Sequence, residues 1–192
     1  MITPQQMRKI IAFSKREAGK NDKVHGWPHI VETVRIARFL AKREHADARI
    51  CIAASYLHDI SKRREPKVNH GTNGSKRARV FLKSIGVDDA AVSRICWAIF
   101  IHNKGGPKKT IEAKILYDAD KLQDSGSGII GRGLWYMLTV RRMTMEDSMR
   151  RLEREYHFYM TRLNTRTGKR IYRKRDRMIK AFFADYRKNW WK

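Results

Sequence analysis

The stretch Ala53-Ala54-Ser55-Tyr56-Leu57-His58-Asp59-Ile60-Ser61-Lys62 is an apolar helical run that ends in two adjacent polar side chains, His58 and Asp59. Burying a histidine and a carboxylate is costly unless each group is hydrogen-bonded, paired or coordinated. Because apolar residues surround this pair, the stretch predicts a buried polar site at the C-terminal end of a helix. The rest of the chain must supply the groups that satisfy it.

Apolar residues recur with helical periodicity on both sides of this stretch. The pattern predicts helices over about residues 3–18, 28–40, 47–59, 73–85, 88–102, 110–122, 145–163 and 168–190. A polar loop is expected over 61–72, and glycines interrupt the chain over 126–133. No strand-like alternation of useful length occurs. The sequence therefore predicts an all-α protein with a single domain over 1–192, a core over about 20–140, and basic helices over 141–192.

The chain carries a net charge of +24. Of its 43 Lys and Arg residues, 17 lie in 141–192, where only 6 of the 19 acidic residues are found. Arg166, Arg170, Lys174 and Arg177 follow one another at helical spacing, which predicts a basic stripe on the last helix. Two explanations stay open at this point: a solvated helix face, and a surface that contacts a polyanion.

The sequence gives little support for a membrane protein or a secreted protein. No stretch approaches the roughly 18 consecutive apolar residues of a membrane span, and the first residues do not resemble a signal peptide. Cys51 and Cys96 lie in apolar helical runs, which predicts buried thiols in a reducing compartment. We expect a cytoplasmic protein with no membrane partner.

A metal ion is one way to satisfy His58 and Asp59. Adjacent side chains on a helix diverge by about 100°, so both can share an ion only if other helices close the far side of the site. His29, in the first turn of a predicted helix, and Asp120, between apolar residues of another, are the candidates for that far side. Two histidines and two aspartates suit Mn²⁺, Fe²⁺, Co²⁺, Ni²⁺ or Mg²⁺, and differ from an all-cysteine structural zinc site.

In this order of ligands the chain resembles the HD-domain metal-dependent phosphohydrolases. The likeness is carried by His29 within His25-Gly26-Trp27-Pro28-His29-Ile30, then His58-Asp59-Ile60, then Asp120 within Asp118-Ala119-Asp120-Lys121-Leu122. It extends over nearly the whole chain and is similar to a branch of small bacterial and archaeal hydrolases. The resemblance implies a single HD-domain helical bundle with additional C-terminal helices, and His29, His58, Asp59 and Asp120 as metal ligands.

The resemblance also implies roles around the metal. His70 and His102 stand where the family's intermediate histidines stand, and are the expected catalytic side chains. Lys62 is a catalytic and phosphate-binding candidate, while Lys121, Arg166 and Arg170 are further substrate-binding candidates. Some relatives with two metals carry a His-His doublet where this chain has His102-Asn103, so the sequence favours one divalent ion over two. The segment after Asp120 usually reads Leu-Asp-Ala in the related branch, and here reads Leu122-Gln123-Asp124.

Three functions follow from these features. The first is hydrolysis of a phosphoester or phosphoanhydride in a phosphorylated small molecule, a nucleotide above all, by a metal-activated water. The second is a nuclease or phosphodiesterase acting on RNA or DNA, which the charge and the basic C-terminal helix favour. The third is a nucleic-acid-binding protein that keeps the fold without turnover. The sequence leaves the oligomeric state open.

Overall fold

The computed structural model describes residues 1–62 and 69–189, and within these ranges it contains helices and turns but no strand. The helices are α1 (Pro4–Ala18), α2 (Trp27–Arg43), α3 (Ala48–Leu57), α4 (His70–Ser84), α5 (Asp89–Ile101), α6 (Ile111–Leu122), α7 (Met145–Met160) and α8 (Arg166–Asn189). The predicted all-α class is confirmed. Residues 63–68 of the predicted 61–72 loop, and the last three residues of the chain, lie outside the described residues.

Short polar side chains set where the helices begin. The carboxylate of Asp47 accepts hydrogen bonds from the backbone N–H groups of Arg49 and Ile50 at the start of α3. Asp88 caps α5 and Thr110 caps α6 in the same way. Such caps satisfy N–H groups that have no partner within the helix. Since a cap depends on residues two or three positions away, these starts were predictable from the sequence.

The start of α4 differs from the prediction by three residues. Asn69 accepts hydrogen bonds from the N–H groups of Gly71 and Thr72, so the helix begins at His70. Gly71 lies so close to α5 that an added Cβ would stand 3.0 Å from the carbonyl oxygen of Ile99. Because this close approach brings the first turn of α4 onto the end of α5, His70 faces His102.

Two hydrophobic clusters hold the helices together. The first lies among α1, α3, α4 and α5, which pack on one another in the N-terminal part of the chain. The second joins α2 and α6 to α7 and α8. Helix α3 packs on both α2 and α5, and α6 also packs on α2 and α5, so these four helices form the centre of the bundle.

The C-terminal third departs from the expected pattern in two places. The glycine-containing stretch forms two π-helical segments, Ile129–Gly133 and Tyr136–Val140, which the sequence did not predict. On α8 the spacing of apolar residues predicts an inward face of Ile171, Met178, Phe182, Phe183 and Tyr186, but Met178 is 45% exposed. The other four pack in or against the second cluster, where Tyr172 and Ile179 are also buried.

Candidate metal centre and phosphate cleft

Four side chains from three different parts of the bundle converge at its centre. His29 comes from the first turn of α2, His58 and Asp59 follow the last residue of α3, and Asp120 comes from the last turns of α6. The Nε2 atom of His29 lies 3.2 Å from Nε2 of His58, 3.6 Å from Oδ2 of Asp59 and 3.5 Å from Oδ1 of Asp120. The structure thus brings together all four predicted metal ligands.

Burial and charge at this centre suit a cation. His29, His58, Asp59 and Asp120 are each at most 8% exposed. Oδ1 of Asp59 is a buried oxygen for which no hydrogen-bond partner is found among the described residues. A buried carboxylate oxygen without a partner is costly, and a bound cation would remove that cost. Two imidazoles and two carboxylates buried together are a donor set that fits a divalent ion, and the Asp59 oxygen without a hydrogen-bond partner lies on the side of His70 and His102.

The pKa shifts keep the donors in their metal-binding forms. Burial lowers the pKa of His58 to about 4, so its imidazole is neutral at neutral pH. Burial raises the pKa of Asp59, but the electrostatic interactions with His58 and Lys62 and the contacts with neighbouring imidazoles outweigh this effect and hold the pKa well below its usual value. Burial also raises the pKa of Asp120, but the positive charge of Lys121 holds this pKa well below its usual value. Neutral imidazoles and ionised carboxylates are the forms that coordinate metals.

Hydrogen bonds to the other ring nitrogen fix the direction of each histidine. The Nδ1 atom of His29 lies 3.0 Å from Oε1 of Gln123, and Nδ1 of His58 lies 2.8 Å from the carbonyl oxygen of Ser55. With Nδ1–H donating, both Nε2 lone pairs face the centre. Gln123 is itself held by a hydrogen bond from its amide to Thr33 Oγ1 at 2.5 Å. Where the pattern Leu-Asp-Ala would place an aspartate, this chain has Gln123. Its uncharged amide orients His29, a candidate metal ligand.

His70 and His102 form a second group of donors beside the first. Their Nε2 atoms lie 3.4 Å and 3.8 Å from Oδ1 of Asp59, and 3.2 Å from each other. Asp59 therefore faces both groups, with Oδ2 toward His29 and His58 and Oδ1 toward the second pair. Burial, together with the nearby charge of Lys62, lowers the pKa of His70 to about 3. Two sets of three donor atoms are each close enough together to hold a metal ion: those of His29, His58 and Asp120, and those of Asp59, His70 and His102.

A cleft of about 270 Å³ opens from this centre. Its wall contains Asp59, Asp120, His70 and His102, together with the basic side chains of Lys62, Lys121, Arg132, Arg141 and Arg151 and the rings of Tyr136 and Tyr159. Lys62 thus lies where it was predicted, although α3 has ended and a turn carries it there. Lys121 also lines the cleft, but its Nζ is 2.8 Å from Oδ2 of Asp120.

Sequence reasoning missed the arginines of this wall. Arg132 belongs to the first π-helical segment, and its guanidinium lies 2.5 Å from the carboxylate of Asp124. Arg141 follows the second π-helical segment and Arg151 lies on α7. No local motif marks any of the three, because they meet only where these segments fold over the end of α6.

Arg166 and Arg170 do not line this cleft. Both are exposed residues at the beginning of α8, and they line a separate depression with Arg43, Glu44 and Arg173. The proposal that they bind the substrate of the metal centre gains no geometric support from this position. They belong to a different surface of the protein.

Comparison with known proteins identifies the family. The HD domain family model matches residues 26–124, which is just over half of the chain, and the chain belongs to this family. Members of the family are in general metal-dependent phosphohydrolases, and HD domains bind divalent metals. The matched segment contains all four candidate ligands. The resemblance seen in the sequence is confirmed.

Solved structures share the fold over nearly the whole chain. A Lactobacillus plantarum protein aligns with a TM-score of 0.82 and 23% identity over 99% of both chains. A predicted HD superfamily hydrolase from an uncultured Thermotogales bacterium aligns with a TM-score of 0.69 and 25% identity, over 96% of this chain and 92% of its own. Bacillus subtilis YpgQ in complex with ADP aligns with a TM-score of 0.76 and 19% identity, over 96% and 97%. Curated protein sequences give no match.

Within the described residues, no helix is both long enough and apolar enough to cross a membrane.

Proposed function

We propose that this protein hydrolyses a phosphoester or phosphoanhydride bond of a nucleotide, using a divalent metal ion held by His29, His58, Asp59 and Asp120. The observation that carries the proposal is the buried convergence of these four donors at the inner end of a cationic cleft. A bound divalent ion would lower the pKa of a water molecule and polarise a phosphoryl oxygen.

The protein's own groups supply the remaining chemistry. Lys62 and Arg132 line the cleft and would bind the phosphate oxygens, with Arg132 also held by its hydrogen bond to Asp124. His70 and His102 are directed at the same space, so they would hold a phosphoryl oxygen or take up a proton from the attacking water.

The size and lining of the cleft favour a small substrate. At about 270 Å³ the cleft lies just below the usual range for small-molecule sites. Tyr136 and Tyr159 are the aromatic residues of its wall, and such rings suit stacking against a nucleobase. The crystal structure of Bacillus subtilis YpgQ, which shares the fold, contains ADP. These features together support a nucleotide as the substrate.

The test is hydrolysis across a substrate panel with Mn²⁺, Mg²⁺, Co²⁺, Ni²⁺ or Fe²⁺ added. The panel holds nucleoside mono-, di- and triphosphates, cyclic nucleotides, and single-stranded RNA and DNA. We expect turnover of free nucleotides, and a decrease in kcat/KM of about 10³-fold or more for Asp59→Ala, because stabilisation worth several kcal/mol is removed. Asp89→Ala is the matched control, since Asp89 is an exposed carboxylate on α5 whose side chain is 81% exposed.

Each outcome of the panel separates the candidate functions. Cleavage of polymers without turnover of free nucleotides would replace the proposal by a nuclease. Binding of nucleic acid without any turnover would replace it by a binding protein of the HD fold. Retention of bound metal at full occupancy in Asp59→Ala would contradict the ligand assignment.

Metal content measured on the loaded protein also counts the ions. One ion per chain supports the centre formed by His29, His58, Asp59 and Asp120. Two ions per chain, reduced to one by His102→Ala, would show that Asp59 bridges both groups of donors and that the sequence-based preference for a single ion is wrong.

A further inference from the structure

A basic groove runs between the second half of α2 and the first half of α8. Its exposed cations are Arg38, Lys42, Arg43, Arg166, Arg170 and Arg173. We call this surface the α2–α8 groove. It consists of two adjoining depressions, one around Arg43 and Arg170 and one around Arg38 and Lys42.

The cations of the α2–α8 groove have no acidic partners in the described part of the chain. Two carboxylates lie nearby, but Glu32 is paired with Arg35, and Glu44 accepts a hydrogen bond from the backbone N–H of Thr167. Elsewhere on the surface many cations are paired, as Arg94 is with Glu112 and Arg150 is with Glu146. Other cations for which no ion pair is found, such as Arg8 and Lys76, lie elsewhere on the described surface, but the six cations of the groove line two depressions together.

The groove is separate from the metal centre. None of its six cations lines the cleft that contains Asp59 and Asp120. Charge that served only to attract a small phosphorylated substrate would be expected around the cleft, where Lys62 and Arg132 already provide it. A ligand of the groove is therefore distinct from the substrate of the cleft.

We infer that the α2–α8 groove binds the sugar-phosphate backbone of a nucleic acid. Arg166 and Arg173 are seven residues apart on α8, about 10 Å at 1.5 Å per residue, which spans about three phosphates of one strand. Guanidinium groups match phosphate oxygens in geometry and charge, and five of the six cations are arginines. Phe39 stands in the same groove, 44% exposed, with the guanidinium of Arg43 5.5 Å from its ring centroid, so that an aromatic ring for a base and a cation for a phosphate lie side by side.

This inference goes beyond the proposed function and does not depend on it. Nucleotide turnover requires the cleft, whereas nucleic-acid binding requires the groove. A protein with both would act on a small substrate while held on a polymer, or would cleave a strand that the groove positions. The two properties can fail separately, so they are measured separately.

The test compares two variants of equal charge. The groove variant carries Arg38→Gln, Lys42→Gln, Arg43→Gln and Arg173→Gln. The control carries four glutamines at exposed cations of α1 and α4, for which no ion pair is found among the described residues: Arg8, Lys9, Lys76 and Arg79. Circular dichroism and thermal unfolding are used to check that both variants fold.

Binding is measured by fluorescence anisotropy with a labelled 20-nucleotide single strand of mixed sequence, at several salt concentrations and without added divalent ions. Loss of four phosphate contacts should lower the slope of log Kd against log salt by about 3, at roughly 0.7 per contact. Affinity at 0.1 M salt should fall about 100-fold in the groove variant and less than about threefold in the control.

Three results would overturn the inference. Equal losses in the two variants would show that only total charge matters. If the unmodified protein shows no salt-sensitive binding of the oligonucleotide, the groove does not bind nucleic acid. Groove-dependent binding to vesicles of phosphatidylglycerol and phosphatidylcholine, without binding to the oligonucleotide, would assign the groove to a membrane surface. Nucleotide hydrolysis, run in parallel, should be unchanged in the groove variant.

Discussion

Replacing Asp118 by alanine removes the carboxylate that joins α6 to the beginning of α8. This side chain is fully buried. It accepts hydrogen bonds from the backbone N–H groups of Asn164 and Thr165 at 2.8 Å and 2.7 Å, and from the hydroxyl of Thr165 at 2.6 Å. Burial raises the pKa of Asp118, while these hydrogen bonds lower it. The carboxylate thus satisfies the backbone donors that precede α8.

The size of the effect follows from the groups that lose a partner. In Asp118→Ala the two N–H groups and the hydroxyl no longer have an acceptor, and a buried unsatisfied polar group costs about 1–3 kcal/mol. Because the contributions of neighbouring groups do not add fully, we expect the free energy of unfolding to fall by about 3–5 kcal/mol. That is a large part of the roughly 5–15 kcal/mol that stabilises a typical domain.

Urea unfolding followed by circular dichroism at 222 nm measures this change, with the slope m reporting whether the native state stays compact. Asp89→Ala is the control, because the side chain of Asp89 is 81% exposed and removing its surface ion pair with Lys83 should cost no more than about 1 kcal/mol. A loss below about 1 kcal/mol in Asp118→Ala would refute the reasoning, since it would mean that the N–H groups find other partners without cost.

Gly168 provides a second test of the same contact. A Cβ added at Gly168 would lie 2.6 Å from Oδ2 of Asp118, so Gly168→Ala forces the carboxylate away from its donors. The cost of Gly168→Ala should therefore be smaller in the Asp118→Ala background, by about 1 kcal/mol or more. Equal costs in the two backgrounds would show that the glycine is needed for a reason unrelated to the carboxylate.

The two remaining predictions concern the metal centre and the buried thiols. Gln123→Leu removes the acceptor that lies 3.0 Å from Nδ1 of His29, and should weaken Mn²⁺ binding about 10–100-fold without unfolding the protein. A Mn²⁺ titration measures this, with Gln5→Leu at an exposed position as the control. Unchanged affinity in Gln123→Leu would contradict the orienting role of Gln123. Burial raises the pKa of Cys51 to about 12 and also raises the pKa of Cys96. Neither thiol should therefore react with Ellman's reagent at pH 8 until the protein is unfolded in guanidinium. Rapid reaction of the native protein would contradict the burial of the two thiols.

Several features of the fold could be predicted from the sequence because they depend on near neighbours. The starts of α3, α5 and α6 follow from caps such as Asp47 and Asp88, whose partners lie within three residues. The position of His58-Asp59 at the end of an apolar helix follows from the same local pattern. The order of the four candidate ligands was enough to indicate the family, and the match to the HD domain family model over residues 26–124 confirms it.

Other features depended on contacts between distant residues. Gln123 meets His29 across 94 positions, and the basic wall of the cleft forms only where the π-helical segments and α7 fold over α6. Neither the register of those segments nor the exposure of Met178 on α8 has a local cause in the sequence.

The sequence by itself determined the helical class, the order of the ligands and the excess of positive charge. Only the tertiary structure decided how that charge is divided. Arg132 enters the cleft, whereas Arg166 and Arg170 line a separate groove against α2. Composition counts charges along the chain, but the packing of helices sets which of them share a surface, and an electrostatic field acts over only about 10 Å at 0.1 M salt.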